Sequence, residues 1–198
     1  MKKIMFNDKY GLTKAVLEGR KIQTRRIVKD VNLIQYLNEL EEDGALKGIR
    51  GKITAEENAL YEVDEVVAIA QRYSDIEIFL PFDRKFDIER GGKERAGWNN
   101  KMFVEATYMP HHIRITNVRV ERLQDCSDDD CIAEGITYVP AKYDFAHPFD
   151  TYTFDGMDCS STYYEAKEAY ADLIDKVSGK GTWDANPYVF VYDFELIS

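Results

Sequence analysis

Apolar and polar residues recur along this chain with two different periods, which predicts a mixture of helices and strands. A short strand is predicted in KIMF near the N-terminus, followed by a helix in NDKYGLTKAVLEGR. Asn7 or Asp8 is the expected N-cap of this helix, and Gly19 is the expected left-handed residue that closes it. A second amphipathic helix is predicted from Val31 to Gly44, with GALKGIRGKITAEENA after it as a connecting loop.

The middle of the chain combines a buried strand with a polar connection. EVVAIAQRY, from Glu65 to Tyr73, is rich in β-branched and apolar residues and predicts a buried strand. Between Asp83 and Lys101 the sequence is polar and glycine-rich, which is typical of an exposed loop.

The segment from His112 to Leu123 predicts a long strand with an unusual change of phase. Its apolar residues lie at odd-numbered positions in the first half of the strand and at even-numbered positions in the second half: Ile113, Ile115, Val118 and Val120. A β-bulge near Asn117 would place all four on one face of the sheet. Bulges of this kind are common where a sheet curls toward a barrel.

A short helix and an aromatic insertion are predicted next. SDDDCIAEGI has the spacing of a capping box at Ser127 and Asp130, and Gly135 ends the helix. Tyr138 to Ser160 then forms an irregular insertion rich in aromatic residues. Those aromatics are expected to pack the insertion down, with base stacking as the alternative.

The remaining segment predicts one more helix and a strand. Thr162 and Glu165 have a second capping-box spacing that would open the helix, and Gly179 would stop it. PYVFVYDFELI alternates large apolar residues and predicts a strand. Strands and helices are mixed without a regular βαβ alternation, so α+β is the predicted class.

The composition narrows the range of functions. Hydrophobic residues at 44% and aromatic residues at 13% are enough for a packed core. A net charge of -10 argues against a protein that wraps duplex DNA, because such proteins neutralise many phosphates. The three cysteines have no CxxC spacing and are expected to be reduced thiols. No apolar run has the length of a signal peptide or of a membrane span. We therefore expect a soluble, cytoplasmic protein.

One stretch, LEGRKIQTRRI, departs from the acidic balance of the chain. Five cations without an intervening acid lie in and just after it: Arg20, Lys21, Arg25, Arg26 and Lys29. Lys21 and Thr24 are three residues apart and can face each other across a tight turn. A threonine hydroxyl becomes a nucleophile only when a base removes its proton, and a lysine is such a base only when its pKa is lowered, here by neighbouring cations. A carboxylate would also be needed to orient the pair.

Two simpler interpretations of this basic turn remain open at this point. In the first, Gly19 only closes the preceding helix and the cations complement the negative end of its dipole. In the second, the turn binds an anion without catalysis. No metal or cofactor is predicted, because the adjacent His111 and His112 have no metal-ligand spacing and Gly179-Lys180-Gly181 lacks the rest of a phosphate loop.

GRKIQTRR resembles the GxKxxTxR signature of the ASCH domain, a PUA-like β-barrel family associated with RNA. Two further segments, Met109 to Ile136 and Gly179 to Leu196, resemble ASCH-domain proteins of phages and prophages. The resemblance implies a single domain over residues 1–198, built as a PUA-like curled β-barrel with flanking helices. Elaborations would lie near residues 30–60, 78–100 and 138–160.

Some small ASCH members are amidohydrolases that remove acyl groups from N4-acylated cytosine nucleosides. The resemblance implies Lys21, Thr24 and Glu134 as catalytic residues, with Thr24 as the nucleophile. It also matches Arg26 to the motif arginine. We predict that the substrate-binding residues around the catalytic ones are Gly19, Arg20, Arg25 and Arg26. The partner would be RNA or a modified nucleoside, and the sequence indicates no oligomeric state.

Two departures from the family pattern and three other functions remain open. Where the family has Gly-Asp before the buried strand, this chain has Asp64-Glu65, so a tight turn there is in question. Within that strand, this chain has Ala70-Gln71 where phage relatives have Arg-Glu. A non-catalytic RNA-binding module and a metal-independent ribonuclease are the alternatives to the amidohydrolase. A regulator that acts through a protein partner is a third.

Overall fold

A five-stranded sheet is the centre of the computed structural model, which describes residues 1–91, 96–141, 149–156 and 163–197. The strands in the described residues are β1 (Lys3–Ile4), β2 (Gln23–Ile27), β3 (Val66–Ile69), β4 (His112–Arg122), β5 (Thr137–Val139), β6 (Thr151–Thr153) and β7 (Tyr188–Leu196). The sheet has the order β1-β3-β4-β7-β2, in which only the β1–β3 pair is parallel, while β5 and β6 form a separate hairpin.

Helices surround the sheet, so the chain has a mixed helix-and-sheet fold, as the sequence predicts. The described helices are α1 (Leu12–Leu17), α2 (Val31–Glu42), α3 (Ile49–Asn58), α4 (Tyr73–Ile76), α5 (Phe82–Gly91), α6 (Asp128–Ala133), α7 (Ala166–Ser178) and α8 (Thr182–Ala185). None of these helices, within the described ranges, has the length and apolar character needed to cross a membrane.

The predicted bulge in β4 is confirmed. The register between β4 and β7 shifts between Ile115 and Asn117. All four apolar residues that change parity in the sequence are buried as a result: Ile113, Ile115, Val118 and Val120. The bulge therefore keeps one face of the longest strand apolar while it increases the local twist of the sheet.

The sheet curls, but no closed barrel is present in the described part of the chain. β1 and β2 are its two outer strands, and no strand ladder joins them. Side chains bridge the gap instead. Arg26 Nη2 donates to the Met5 carbonyl at 2.7 Å, and the Lys21 ammonium lies 5.8 Å from the centre of the Phe6 ring.

Two segments predicted as loops are helical. The sequence after Gly44 forms α3, with Gly48 as its N-cap. The prediction was wrong because Ile49 and Ile53 are exposed, so α3 has no apolar stripe. The polar segment from Asp83 onward begins within α5, and residues 92–95 lie outside the described residues.

Several element boundaries also differ from the predicted ones. α1 begins at Leu12 rather than after Asn7 or Asp8, because Asp8 accepts hydrogen bonds from the Thr13 hydroxyl and from Lys101. α2 spans Val31–Glu42 close to its predicted limits, but Val31 is exposed rather than buried. β3 ends at Ile69, before the predicted Tyr73.

The insertion and the second capping box also differ from their predictions. The insertion contributes the β5–β6 hairpin, and its residues 142–148 and 157–160 lie outside the described residues. α7 begins after Glu165, whose side chain forms no cap. Thr162, the predicted cap, lies outside the described residues.

The turn before β3 forms without a glycine. Asp64 adopts a left-handed conformation with φ of 65°, which aspartate tolerates better than most residues. The Glu65 carboxylate accepts a hydrogen bond from the Glu62 N–H at 3.0 Å and another from Lys2 at 3.0 Å. The departure from Gly-Asp is therefore accommodated by local hydrogen bonds.

Candidate active site

The basic turn starts at the end of α1 as a Schellman motif. Gly19 has φ of 71°, and its N–H donates to the Val16 carbonyl at 2.9 Å. The Arg20 N–H donates to the Ala15 carbonyl at 2.9 Å. The predicted role of Gly19 as the closing residue is confirmed, and its reversal of the chain leads directly into Lys21 and β2.

Main-chain hydrogen bonds hold this turn against the end of α6. The Lys21 N–H donates to the Ala15 carbonyl at 3.0 Å, and the Ile22 N–H donates to the Ala133 carbonyl at 3.0 Å. Ala133 is the last residue of α6, and Glu134 caps that helix. The backbone therefore brings Glu134 opposite Lys21 although 113 residues separate them in the sequence.

Lys21 and Glu134 form a buried ion pair. The Lys21 Nζ lies 2.5 Å from Glu134 Oε2, 2.8 Å from the Glu134 carbonyl and 2.7 Å from the Gln23 carbonyl. The exposed fractions of the two residues are 2% and 4%. All three ammonium protons thus have an acceptor. Burial lowers the pKa of Lys21, Glu134 opposes this change, and Arg26 and Arg25 add to the lowering.

Arg25 contacts the other carboxylate oxygen of Glu134. Its Nη1 lies 3.3 Å from Glu134 Oε1 and also donates to the Gln23 side chain, while Nη2 donates to Glu121 Oε1 at 2.8 Å. Burial alone would lower the pKa of Arg25, but Glu134 and Glu121 reverse that effect and raise it. Because these residues already occupy its guanidinium, Arg25 orients Glu134 rather than presenting a free charge to a substrate.

A wider polar network supports Arg25 on the same face of the sheet. Gln23 Nε2 donates to Asp130 Oδ1 at 2.9 Å and to Asp193 Oδ1 at 2.7 Å. Arg119 donates to Asp193 at 2.6 Å, to Asp130 at 3.1 Å and to Glu121 at 3.2 Å. Reasoning from the sequence did not identify these residues. Their shared contacts hold Glu134 and Arg25 in one arrangement.

Thr24 faces a small cavity beside the ion pair. It lies in β2 opposite Tyr192, is 4% exposed, and no described residue hydrogen-bonds its hydroxyl. The cavity has a volume of about 60 Å³, and Lys21, Thr24 and Glu134 all line it. Because a water molecule occupies about 30 Å³ in the liquid, the space holds about two waters.

Tyr170 adds an unpaired hydroxyl to the wall of this cavity. Its side chain is buried in α7, and its Oη has no hydrogen-bond partner among the described residues. Burial raises the pKa of Tyr170 well above its usual value, and the neighbouring Glu134 raises it further. Arg25 Nε, on the same wall, is also unpaired. Two buried polar atoms beside the cavity therefore have no hydrogen-bond partner among the described residues.

The other predicted binding residues lie at different distances from the cavity. Arg26 lines it, and no carboxylate of the described residues lies within ion-pair distance of its guanidinium. Arg20 pairs with Glu18 at 2.7 Å on the surface, and Gly19 has open space beside it. Of the four predicted binding residues, only Arg26 presents an available charge to the cavity.

The chemistry of the site rests on oxygen and nitrogen side chains. No cluster of three or more metal-ligating side chains occurs within residues 1–91, 96–141, 149–156 and 163–197. The cavity combines a free hydroxyl, an amine whose pKa is lowered and a carboxylate in contact with that amine. These are the components of a nucleophile with a supported base.

Comparisons with known proteins return no match: no protein-family model, no curated protein and no solved structure is significantly similar to the chain.

Proposed function

We propose that this chain is an ASCH-domain protein of the PUA-like type that hydrolyses the amide of an N4-acylated cytosine nucleoside. The observation that carries the proposal is the buried contact between Lys21 and Glu134, at 2.5 Å, on the cavity that Thr24 also lines. A glycine that only closes a helix does not require a buried lysine, a carboxylate in contact with it and an unpaired hydroxyl on the same cavity.

Proton transfer from Lys21 to Glu134 produces a neutral amine. Rotation about the Cε–Nζ bond turns the lone pair of that amine from Glu134 to Thr24. The amine then accepts the Thr24 proton as Oγ1 attacks the acyl carbonyl, and Arg26 stabilises the oxyanion. Lys21 then donates the proton to N4 of cytosine as the C–N bond breaks. Water hydrolyses the resulting ester of Thr24 and releases the carboxylic acid.

The shape of the sheet supports the family proposal. The bulge in β4 and the bridge from Arg26 to the Met5 carbonyl curl the five strands toward each other. A PUA-like barrel requires such a curl, and we propose that the sheet is an open form of that architecture. The GxKxxTxR turn lies where the two outer strands approach each other.

Thr24 provides the sharpest test because a hydroxyl can be removed with little change in volume. We expect Thr24→Val to lower kcat/KM for N4-acetylcytidine by about 100-fold or more. Thr54→Val is the matched control, because Thr54 is equally buried but lies in α3 and donates to the Arg50 carbonyl. Turnover of Thr24→Val equal to that of wild type would refute the assignment.

Lys21 can be tested in the same assay. Lys21→Met keeps the apolar stem and removes the amine, so we expect no deacylation while circular dichroism still shows the native fold. Loss of the fold would leave Thr24→Val as the deciding variant.

A second candidate, RNA binding without catalysis, is favoured by the size of the cavity. Its volume of about 60 Å³ is below the roughly 300 Å³ of small-molecule pockets. The described insertion also presents exposed rings at Tyr138 and Phe149, whereas Phe154 packs against Tyr10. This candidate predicts salt-sensitive RNA binding with no product from acylated cytidine.

Parallel incubation of RNA with a chelator present detects metal-independent cleavage, which would indicate a ribonuclease.

A further inference from the structure

A larger cleft lies on the other side of Arg26 from the Thr24 cavity. Its volume is about 550 Å³, within the usual range of roughly 300–1,000 Å³ for ligand sites. Arg26 lines both spaces, so the two are adjacent. The cleft lies between the end of β2 and the start of α2 on one side and the segment from Asn58 to Tyr61 on the other.

The floor of this cleft is aromatic. Phe190 and Tyr192 of β7 line it together with Tyr61. The Tyr61 and Tyr192 rings meet edge to face with their centres 5.3 Å apart, and the Phe190 and Tyr192 rings are 6.4 Å apart. Only small parts of these residues reach the cleft, with exposed fractions of 9% for Phe190, 5% for Tyr61 and 1% for Tyr192, so a planar heterocycle can lie against their edges but cannot stack on a whole ring face.

The rim of the cleft is cationic although the whole chain has a charge of -10. Lys2, Arg26 and Lys29 line it, against Asp30 as the one acidic residue of the lining. The Asp30 carboxylate already caps α2, because it accepts the N–H groups of Asn32 and Leu33 at 2.8 and 3.0 Å. The cleft is therefore a locally positive site on an acidic protein.

Two of the three cations are available to a ligand. Lys2 is paired with Glu65 at 3.0 Å. Arg26 has only the Met5 carbonyl as a hydrogen-bond acceptor, and Lys29 is exposed with no ion-pair partner among the described residues. An anion that enters the cleft meets these two side chains without displacing a carboxylate.

We propose that this cleft binds a nucleoside phosphate unit, with the base against the aromatic floor, the phosphate at Lys29, and the acyl group at Arg26. The inference rests on the proposed function, which it narrows: the substrate carries a phosphate, and only its acyl group enters the small cavity beyond Arg26. The unit comes either from a free nucleotide or from an RNA strand, since both present the same base and phosphate.

Calorimetric titration with cytidine monophosphate and with cytidine tests the cleft without any turnover. We expect the monophosphate to bind wild-type protein at least about tenfold more tightly than cytidine, and added salt to reduce that difference. Lys29→Gln should remove most of the tenfold preference. Lys180→Gln is the matched control, because Lys180 is equally exposed and lies in the turn after α7.

Equal affinities for the two ligands, or equal losses in Lys29→Gln and Lys180→Gln, would overturn the proposal. A short oligocytidylate that binds more tightly than the monophosphate identifies RNA as the source, and equal binding identifies the free nucleotide. Lys29-dependent binding without deacylation contradicts the proposed hydrolysis but leaves the cleft assigned. Deacylation without tighter binding of the monophosphate supports the proposed hydrolysis but refutes the assignment of the cleft.

Discussion

Glu134 is the residue on which the site depends, because each of its carboxylate oxygens holds a different cation. Oε2 contacts Lys21 at 2.5 Å, and Oε1 contacts Arg25 at 3.3 Å. Both cationic side chains are only 1% exposed, so bulk solvent does not replace Glu134 as their partner. A buried charge left without its partner costs much more than an exposed one.

We therefore expect Glu134→Gln to lower the free energy of unfolding by about 3 kcal/mol. Glu195→Gln is the control, since Glu195 pairs with Arg114 at 3.3 Å on the surface, and its loss should be below about 0.5 kcal/mol. Urea denaturation at neutral pH measures both values. Equal destabilisation by the two substitutions would contradict the central role of Glu134.

The residues of the site differ in how far the sequence reveals them. Lys21 and Thr24 are recognisable from their spacing, and Glu134 from the family resemblance. The contact between Arg25 and Glu134 was not predicted, although the alternation of side chains in QTRRI does place Arg25 on the opposite face of β2 from Thr24. The sequence around Tyr170 indicates only a buried helical position, because nothing in an apolar stripe distinguishes a hydroxyl that lacks a partner.

At the scale of elements, the short helix α6 positions the Glu134 carboxylate. Its capping box is confirmed: Ser127 Oγ accepts the Asp130 N–H at 3.1 Å, and Asp130 accepts the Ser127 N–H at 2.9 Å. Burial alone would raise the pKa of Asp130, but hydrogen bonds from Ser127 and Gln23, with the charge of Arg25, lower it from 3.8 to about 2. The helix is thus tied electrostatically to β2.

This shift predicts a pH dependence of stability. The lowered pKa means that ionised Asp130 stabilises the folded state above its unfolded value of 3.8, and that this contribution disappears as the pH falls toward 2. Solvent screening reduces the effect to about 1 kcal/mol. Urea unfolding of wild type and Asp130→Asn at several pH values should show a constant difference above about pH 5 that shrinks as the pH falls further. A difference that does not change with pH would contradict this account.

Helices and strands were predicted correctly where the order of apolar and polar side chains is enough to determine the local structure. The phase change around Asn117 indicated the bulge, because an apolar face can be kept across a parity change only by an extra residue. α3 gave no such signal, since its N-cap is Gly48 and Gly51 packs too closely on Leu46 for a side chain to fit. The helix therefore depends on a close approach to the turn before it, which apolar periodicity does not record.

At the scale of the whole molecule, the sheet has open edges. β2 pairs with β7 along one side, where the Phe194 N–H donates to the Ile22 carbonyl and the Val28 N–H to the Tyr188 carbonyl, both at 2.9 Å. The alternation of an antiparallel ladder then directs every second N–H of β2 away from β7. No described residue accepts a backbone hydrogen bond from those outward groups.

Amide hydrogen exchange should distinguish this open sheet from a closed barrel. We expect Gln23, Arg25 and Ile27 to exchange faster than Thr24 and Arg26, whose N–H groups point toward β7. Exchange followed by nuclear magnetic resonance at single-residue resolution measures the contrast. Comparable protection at all five positions would show that another strand covers the edge.

The pairing of β2 also determines when the basic turn becomes ordered during synthesis. Residues 23–27 leave the ribosome early, yet their strand partner is residues 188–196, and the carboxylate that holds Lys21 is at position 134. Contacts of such long range form late, after the loop-closure entropy between them has been overcome. A nascent chain that stops before Glu134 therefore carries the basic turn without the carboxylate that holds Lys21, and β2, which carries Thr24, gains its strand partner only when β7 is added.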